Sequence, residues 1–312
     1  MIPPTIHTGS KVAKGNMPDT PEKVVISQVL IEERQEHPTR RYLYESIERL
    51  LKRPVASFFT SFSAPVMIES SDADMLEGVL QRTDLAKGLA LLISSPGGDI
   101  LAAERIINVC RSYSGTGEYW AIVPSKAKSA ATVICFGASK LIMASTSELG
   151  SIDPQVAMEG KRFSVHNIVT SYRELFSKAV EEKGNLQPYL QQLANYDARE
   201  IAEFQSALEL SEDIAVKSLK SGVMTDVSEK EIKKRIKDFL TPRTVKTHGR
   251  PIYHDLAKAC GLEVDLQDPK GKLWQDVYEL YVRLDHWVST RVDKCIETKD
   301  HSFVATLKRG EE

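Results

Sequence analysis

At 312 residues, with 42% apolar and 27% charged side chains, the chain has room for one large domain or two modest ones and an ordinary globular composition. A formal net charge of −2 excludes the basic footprint expected of a nucleic-acid binder or of a protein drawn to anionic lipid. Cys110, Cys135, Cys260 and Cys295 form no CxxC pair and keep no regular spacing, which argues against a disulfide framework or a zinc site and for reduced thiols in a cytoplasmic setting.

Residues 1–22 carry Pro3, Pro4, Gly9, Gly15, Pro18 and Pro21 and no apolar h-region, so they read as a flexible lead without a signal peptide. Residues 23–53 read as a helix, with Tyr42, Ile47, Leu50 and Leu51 near helical spacing among charges of both signs. A solvated face explains those charges better than a membrane-surface helix does. Residues 54–67 predict one or two strands and residues 72–81 a short helix. The continuous apolar run 88–93, ended by a Pro-Gly turn, predicts a strand buried on both faces.

Ile100, Ala103, Ile106, Ile107 and Cys110 then repeat at three and four, the mark of an amphipathic helix. A second strand is expected at 119–123, an almost wholly apolar helix at 129–138 and a third strand at 141–144. This order predicts parallel strands with helices packed outside them. From about Phe163 the chain becomes mostly helical: 180–219, with Ile201, Phe204, Leu208 and Ile214 as core positions, a charged helix at 229–239, and 273–288 carrying Trp274, Leu280, Leu284 and Trp287. Pro242 and His248-Gly249-Arg250-Pro251 punctuate a linker between them. The longest apolar runs, 89–93 and 132–136, are far too short to span a bilayer, so any membrane role is peripheral.

Two strand-to-helix turns carry the chemistry. Ser95-Pro96-Gly97-Gly98-Asp99 ends the first strand, and Lys128-Ser129-Ala130-Ala131-Thr132 opens the apolar helix. Acyl transfer requires free backbone N–H groups facing a developing oxyanion and an exposed hydroxyl nucleophile, and such turns supply both. Gly97 and Gly98 have no side chain to block an incoming carbonyl, and the Ala130 amide follows Ser129 directly. Taken singly, the glycine pair reads as a plain turn and Ser129 as a helix N-cap; taken together they point to acyl transfer.

These two stretches and Leu149-Gly150-Ser151-Ile152-Asp153-Pro154-Gln155 resemble the Clp-fold serine proteinases. The likeness is greatest to the serine dehydrogenase proteinase family, which is related to Clp protease and signal peptide peptidase A. It runs from about residue 40 to residue 290 and takes in His248-Gly249-Arg250-Pro251-Ile252. The resemblance implies an α/β fold of the ClpP/crotonase type, a spiral of strand–strand–helix units with a helical C-terminal extension. The expected divisions are the lead at 1–22, a catalytic core at 23–178, and a mainly helical region at 179–312 packed on the core or on a neighbouring subunit. Ser129 takes the nucleophile position, and Gly98, with or without Gly97, shares the oxyanion position with Ala130. The implied activity is hydrolysis of a peptide or protein substrate, without cofactor or metal, by a homo-oligomer.

The general base stays open. Where Clp protease has its histidine, this chain has Asp153, and a carboxylate is a poor base toward a hydroxyl. Signal-peptide-peptidase relatives use a lysine further downstream, where this chain offers Lys161 and His166. An imidazole titrates near neutral pH, whereas a lysine must be desolvated before it accepts a proton there, so His166 leads Lys161. Lys126 and Lys128, next to Ser129, read as ion-pair or loop charges. Two rival readings remain: a Clp-fold scaffold that has lost its base, and a crotonase-like acyl-CoA enzyme, which would not need a serine at 129.

Overall fold

The computed structural model describes residues 37–158, 160–241 and 249–306. The lead at 1–22, the start of the 23–53 helix, Pro242 and His248 lie outside them. Strands β1 (Val55–Thr60), β2 (Leu89–Ser94), β3 (Tyr119–Val123) and, beyond the two-residue β4 (Lys126–Ala127), β5 (Lys140–Met143) pair in parallel in that order, with β4 outside the sheet. Alternate residues of each strand enter opposite cores, as a period of two requires. Ala56, Phe58, Leu89, Leu91, Ile93, Ala121 and Leu141 face one side; Val55, Phe59, Ala90, Leu92, Ile122 and Ile142 face the other.

Against the first side pack α2 (Ser70–Leu80), α3 (Ile100–Tyr113), α4 (Ala130–Phe136) and, further along the chain, the buried end of a 24-residue helix at Ala198–Ser221. Against the second side lie α1 (Arg41–Leu51) and a late helix at Lys272–Thr290. The sheet is therefore sandwiched between helical layers, which is why its strands read as unbroken apolar runs. In α1 the inward residues are Leu43, Tyr44 and Ile47, whereas Tyr42 and Leu50 are 45% exposed. The expected phase of that helix is corrected by about one residue, because the packing partner and not the spacing selects its buried stripe.

Above the C-terminal ends of the parallel strands a short second layer forms. β4 pairs in parallel with β6 (Glu148–Leu149), and single bridges join Ile68 to Gly98, Ser95 to Ala127 and Leu149 to Ile252. A hairpin of β7 (Gln155–Met158) and β8 (Lys161–Ser164) follows, leading into α5 (Val165–Glu181), α6 (Gln187–Leu193) and α7 (Ala198–Ser221). The charged 229–239 stretch breaks at Ile236 into α8 (Glu229–Arg235) and α9 (Lys237–Leu240).

The remaining segments are α10 (His254–Ala259), β9 (Val264–Leu266), α11 (Lys272–Thr290), β10 (Lys294–Glu297) and β11 (Ser302–Ala305). They return to the sheet: β9 lies parallel to β5, β10 antiparallel to β1, and β11 antiparallel to β10. The mainly helical reading of the C-terminal region does not include these three strands. β10 is fully buried although two of its four residues are charged. Lys294 Nζ donates to Asp72 Oδ2 at 2.8 Å, and Arg40 donates through Nε and Nη2 to both oxygens of Glu297 at 2.7 and 2.9 Å. Paired in this way, the charges are admitted to the interior.

Candidate active site

Two loops at the C-terminal ends of β2 and β3 meet in the short second layer. Ser95 sits between them: its N–H donates to Lys126 O at 3.3 Å, and its C=O accepts the Lys128 N–H at 3.0 Å. The loop that follows is strapped from outside by Ile68, whose N–H donates to Gly97 O at 2.8 Å and whose C=O accepts the Asp99 N–H at 2.9 Å. The Gly97 N–H is itself taken up by Ser95 Oγ at 3.1 Å. In such a parallel bridge the residue opposite Ile68, Gly98, directs its own N–H toward the other edge. Among the described residues that amide has no acceptor.

Asp99 ends the loop as the N-cap of α3, its Oδ1 accepting the Leu101 N–H at 3.0 Å. Gly97 has no room for a side chain. With φ at +101° it adopts a backbone that L-residues avoid, and a Cβ would lie 2.6 Å from Lys128 O and 2.7 Å from Ser129 Cβ. The sequence expectation of a double glycine at this turn thus has two separate physical causes. At Gly97 it is the approach of the Ser129 loop; at Gly98 it is Ile68, whose N would be 2.3 Å from a Cβ.

Ser129 holds φ 51° and ψ −121°, and besides Lys52 it is the non-glycine residue with positive φ among the described residues. This conformation is costly for an L-residue and turns the side chain sharply outward at the start of α4. Ser129 occupies the N-cap position of α4, but its hydroxyl makes no hydrogen bond to a described residue and so does not cap the helix. Ala130, the first residue of α4, also has an N–H without an acceptor among the described residues. Ser129, Gly97 and Gly98 line one cleft of about 580 Å³. Its walls include the apolar Phe62, Pro65, Val66, Ile100, Ile152 and Pro154 and the polar Asp99, Gln155, Arg162 and Ser211.

One buried hydroxyl, unremarked in the sequence, organises the far side of Ser129. Thr132 Oγ1 lies 2.8 Å from Ala127 O and 3.1 Å from Gly150 O, and it accepts the Gly150 N–H at 3.0 Å. It thereby ties the first turn of α4 to the segment that continues into Ile152 and Pro154. Lys128 points away from the cleft: its Nζ pairs with Glu148 at 3.0 Å and donates to Leu149 O at 3.3 Å. Burial lowers its pKa, the Glu148 carboxylate opposing the shift. Lys126 Nζ stands 4.0 Å over the Phe62 ring.

The two candidate bases are placed differently. His166 lies half-buried in the first turn of α5, and that turn is pinned to the cleft wall. Val165 N–H donates to Pro154 O at 2.9 Å and His166 N–H to Asp153 Oδ1 at 3.3 Å, with Ile152 and Pro154 on either side of Asp153 lining the cleft. His166 Nδ1 is 3.5 Å from Thr170 Oγ1. Lys161 lies at the turn end of the β7–β8 hairpin, opposite Met158, with its side chain exposed. Neither residue lines the cleft. Among the described residues no group of three or more His, Cys, Asp or Glu side chains is arranged to hold a metal ion.

The chain is 29% identical over 221 residues to an uncharacterized protein of Methanocaldococcus jannaschii, a match spanning 70% of this chain and 67% of that one. The sequence model of the ClpP-like SDH-type serine proteinases matches residues 56–292, from β1 to the end of α11, and so includes every loop of the cleft described above. The chain belongs to the family of ClpP-like SDH-type serine proteinases.

Proposed function

We propose that this chain is a serine endopeptidase on a Clp/crotonase-type spiral core, with Ser129 as nucleophile, the Gly98 and Ala130 amides as oxyanion donors and His166 as general base. The observation that carries the reading is the conjunction at Ser129. A strained backbone presents a hydroxyl to the cleft, and the Gly98 and Ala130 N–H groups in the two loops that meet there have no acceptor among the described residues. The β4–β6 ladder over the main sheet supports the spiral.

In this mechanism Ser129 Oγ attacks the scissile carbonyl carbon while its proton passes to the His166 imidazole. The carbonyl oxygen, now anionic, accepts hydrogen bonds from Gly98 and Ala130. Collapse expels the amine, which takes the proton from the imidazolium and leaves an acyl ester on Ser129. A water molecule, deprotonated by the same imidazole, releases the acid and restores the hydroxyl. His166 is preferred to Lys161 because its helix turn is hydrogen-bonded to Asp153 and Pro154 in the cleft wall, whereas Lys161 is solvated on the hairpin. The substrate is a peptide or protein, and the working form is a homo-oligomer. Phe176 and Val180 of α5 and Leu190 of α6 are exposed, and no residue of α6 is buried, in keeping with a partner surface there.

Intact-mass analysis after treatment with a fluorophosphonate tests the reading. Wild type and Lys161→Ala should gain one adduct, Ser129→Ala none, and His166→Ala should react at least a hundredfold more slowly, the size of a general-base contribution. A folded, assembled wild type that does not react overturns the peptidase reading. The scaffold reading then gains from the lack of a bonded base at Ser129 Oγ, with the acyl-CoA reading as its rival.

A further inference from the structure

The oxyanion loop offers two glycine amides, yet its geometry leaves only one of them open. What closes the other is the side chain of Ser95. That residue is fully buried, and its Oγ accepts the Gly97 N–H at 3.1 Å. Its backbone is simultaneously bonded on both sides to the strand that leads to Ser129, through Lys126 O at 3.3 Å and the Lys128 N–H at 3.0 Å. Ser95 therefore holds the residue immediately before Gly98 with its side chain and the residue immediately before Ser129 with its carbonyl. No other described residue bonds to both of these positions.

We infer that Ser95 is the positioning residue of the oxyanion hole: its hydroxyl draws the Gly97 N–H inward, so that the Gly98 N–H alone represents that loop beside Ser129. The inference rests on the serine peptidase reading of the same cleft. Without the hydroxyl, the Gly97 amide would be a buried donor without an acceptor, and a glycine pair relieves such a donor by rotating. Turning the 96–97 peptide changes φ at Gly97, and the Gly97–Gly98 peptide that follows is carried with it, so the Gly98 N–H leaves the direction set by the Ile68 strap. Oxyanion donors act only when aimed at the tetrahedral oxygen, so the loss falls on the transition state and leaves ground-state binding in the cleft unchanged.

The test compares wild type, Ser95→Ala and Ser95→Thr, with kcat expressed per reactive site by titration with a chromogenic fluorophosphonate. Ser95→Ala should lose about 10- to 100-fold in kcat, short of the full loss of an oxyanion donor, with KM within about twofold. Its affinity for a peptide aldehyde, which forms the tetrahedral adduct, should fall by the same factor, and its affinity for the matching peptide acid should not. Ser95→Thr, which keeps the oxygen, should recover most of the rate. A purely structural Ser95 would lower Tm and the number of reactive sites but leave kcat per site unchanged, and that result overturns the inference. So does a folded Ser95→Thr as slow as Ser95→Ala. Should Ser95→Ala fail to fold, Ser95→Cys, with a weak sulfur acceptor of similar shape, carries the same comparison. An unreactive wild type overturns the peptidase reading and this inference with it, whereas a reactive wild type matched by Ser95→Ala overturns the inference alone.

Discussion

The backbone at Ser129 makes a prediction that separates stability from activity. At φ 51° and ψ −121° a residue with a Cβ is held where essentially only glycine is comfortable, at a cost of about 1–3 kcal/mol. The hydroxyl returns nothing in hydrogen bonds to the described residues. Ser129→Ala therefore keeps the strain and should match wild type in stability. Ser129→Gly removes the strain and adds about 0.5–1 kcal/mol of backbone freedom to the unfolded chain. At the middle of these ranges the glycine variant is about 1 kcal/mol more stable than the alanine variant, or roughly 2 °C in Tm. Both variants should be inert to fluorophosphonate. Urea unfolding at 25 °C, followed by the fluorescence of the three tryptophans, measures the gap. A glycine variant no more stable than the alanine variant would show that residue 129 is unstrained, and the reasoning that reads a nucleophile from its backbone would fall with it.

Other sites give independent tests. Gly97→Ala should nearly abolish fluorophosphonate labelling, because its Cβ would press on Ser129 Cβ at 2.7 Å, whereas Gly117→Ala, with φ +73° and nothing within 4 Å, should cost only about 1 kcal/mol and leave labelling intact. Thr132→Val should lower stability by about 1–3 kcal/mol by stranding the Gly150 N–H, and Thr132→Ser should restore it in the same urea titration. Lys294→Met should cost about 3–5 kcal/mol, since Asp72 is only 1% exposed and would be left buried and uncompensated; adding Asp72→Asn should recover much of that loss. Lys128 supplies a pH test. Burial lowers its folded pKa below the ordinary 10.5, so the cost of its buried charge is fully present at neutral pH. As pH rises through the window just below 10.5 the folded chain releases this proton before the unfolded chain does. Wild type should then gain stability relative to Lys128→Met, and a flat difference across that window would contradict the assignment.

How much of this could be read beforehand depends on where the causes lie. β2 and α3 were legible because β2 is buried on both faces and α3 on one: the strand needs a continuous run and the helix a repeat at three and four, and each pattern is complete within about fifteen residues. β10 was not legible. Lys-Cys-Ile-Glu resembles a surface segment until Lys294 meets Asp72, 222 residues away, and Glu297 meets Arg40, 257 residues away. The β7–β8 hairpin is illegible for a different reason. Its β7 strand is mostly exposed, so no buried face imposes a pattern on the residues. At the site, the double glycine and Ser129 stood out as turn chemistry, whereas Ser95 and Thr132 are small hydroxyl residues that would pass unnoticed in any buried segment.

The sequence by itself determined the parallel α/β core, the two turns that carry the site and membership of the proteinase family, because local periodicity, glycine placement and motif order are all properties of neighbouring residues. Only the tertiary structure decided which glycine amide is open, that Lys128 faces Glu148 and not the cleft, and that His166 is half-buried in an α5 turn bonded to Asp153 while Lys161 is exposed on its hairpin. Each of these depends on a hydrogen bond or ion pair whose partner comes from another loop, or on which edge of a strand an N–H faces. Directions of that kind arise only when separate segments pack against one another.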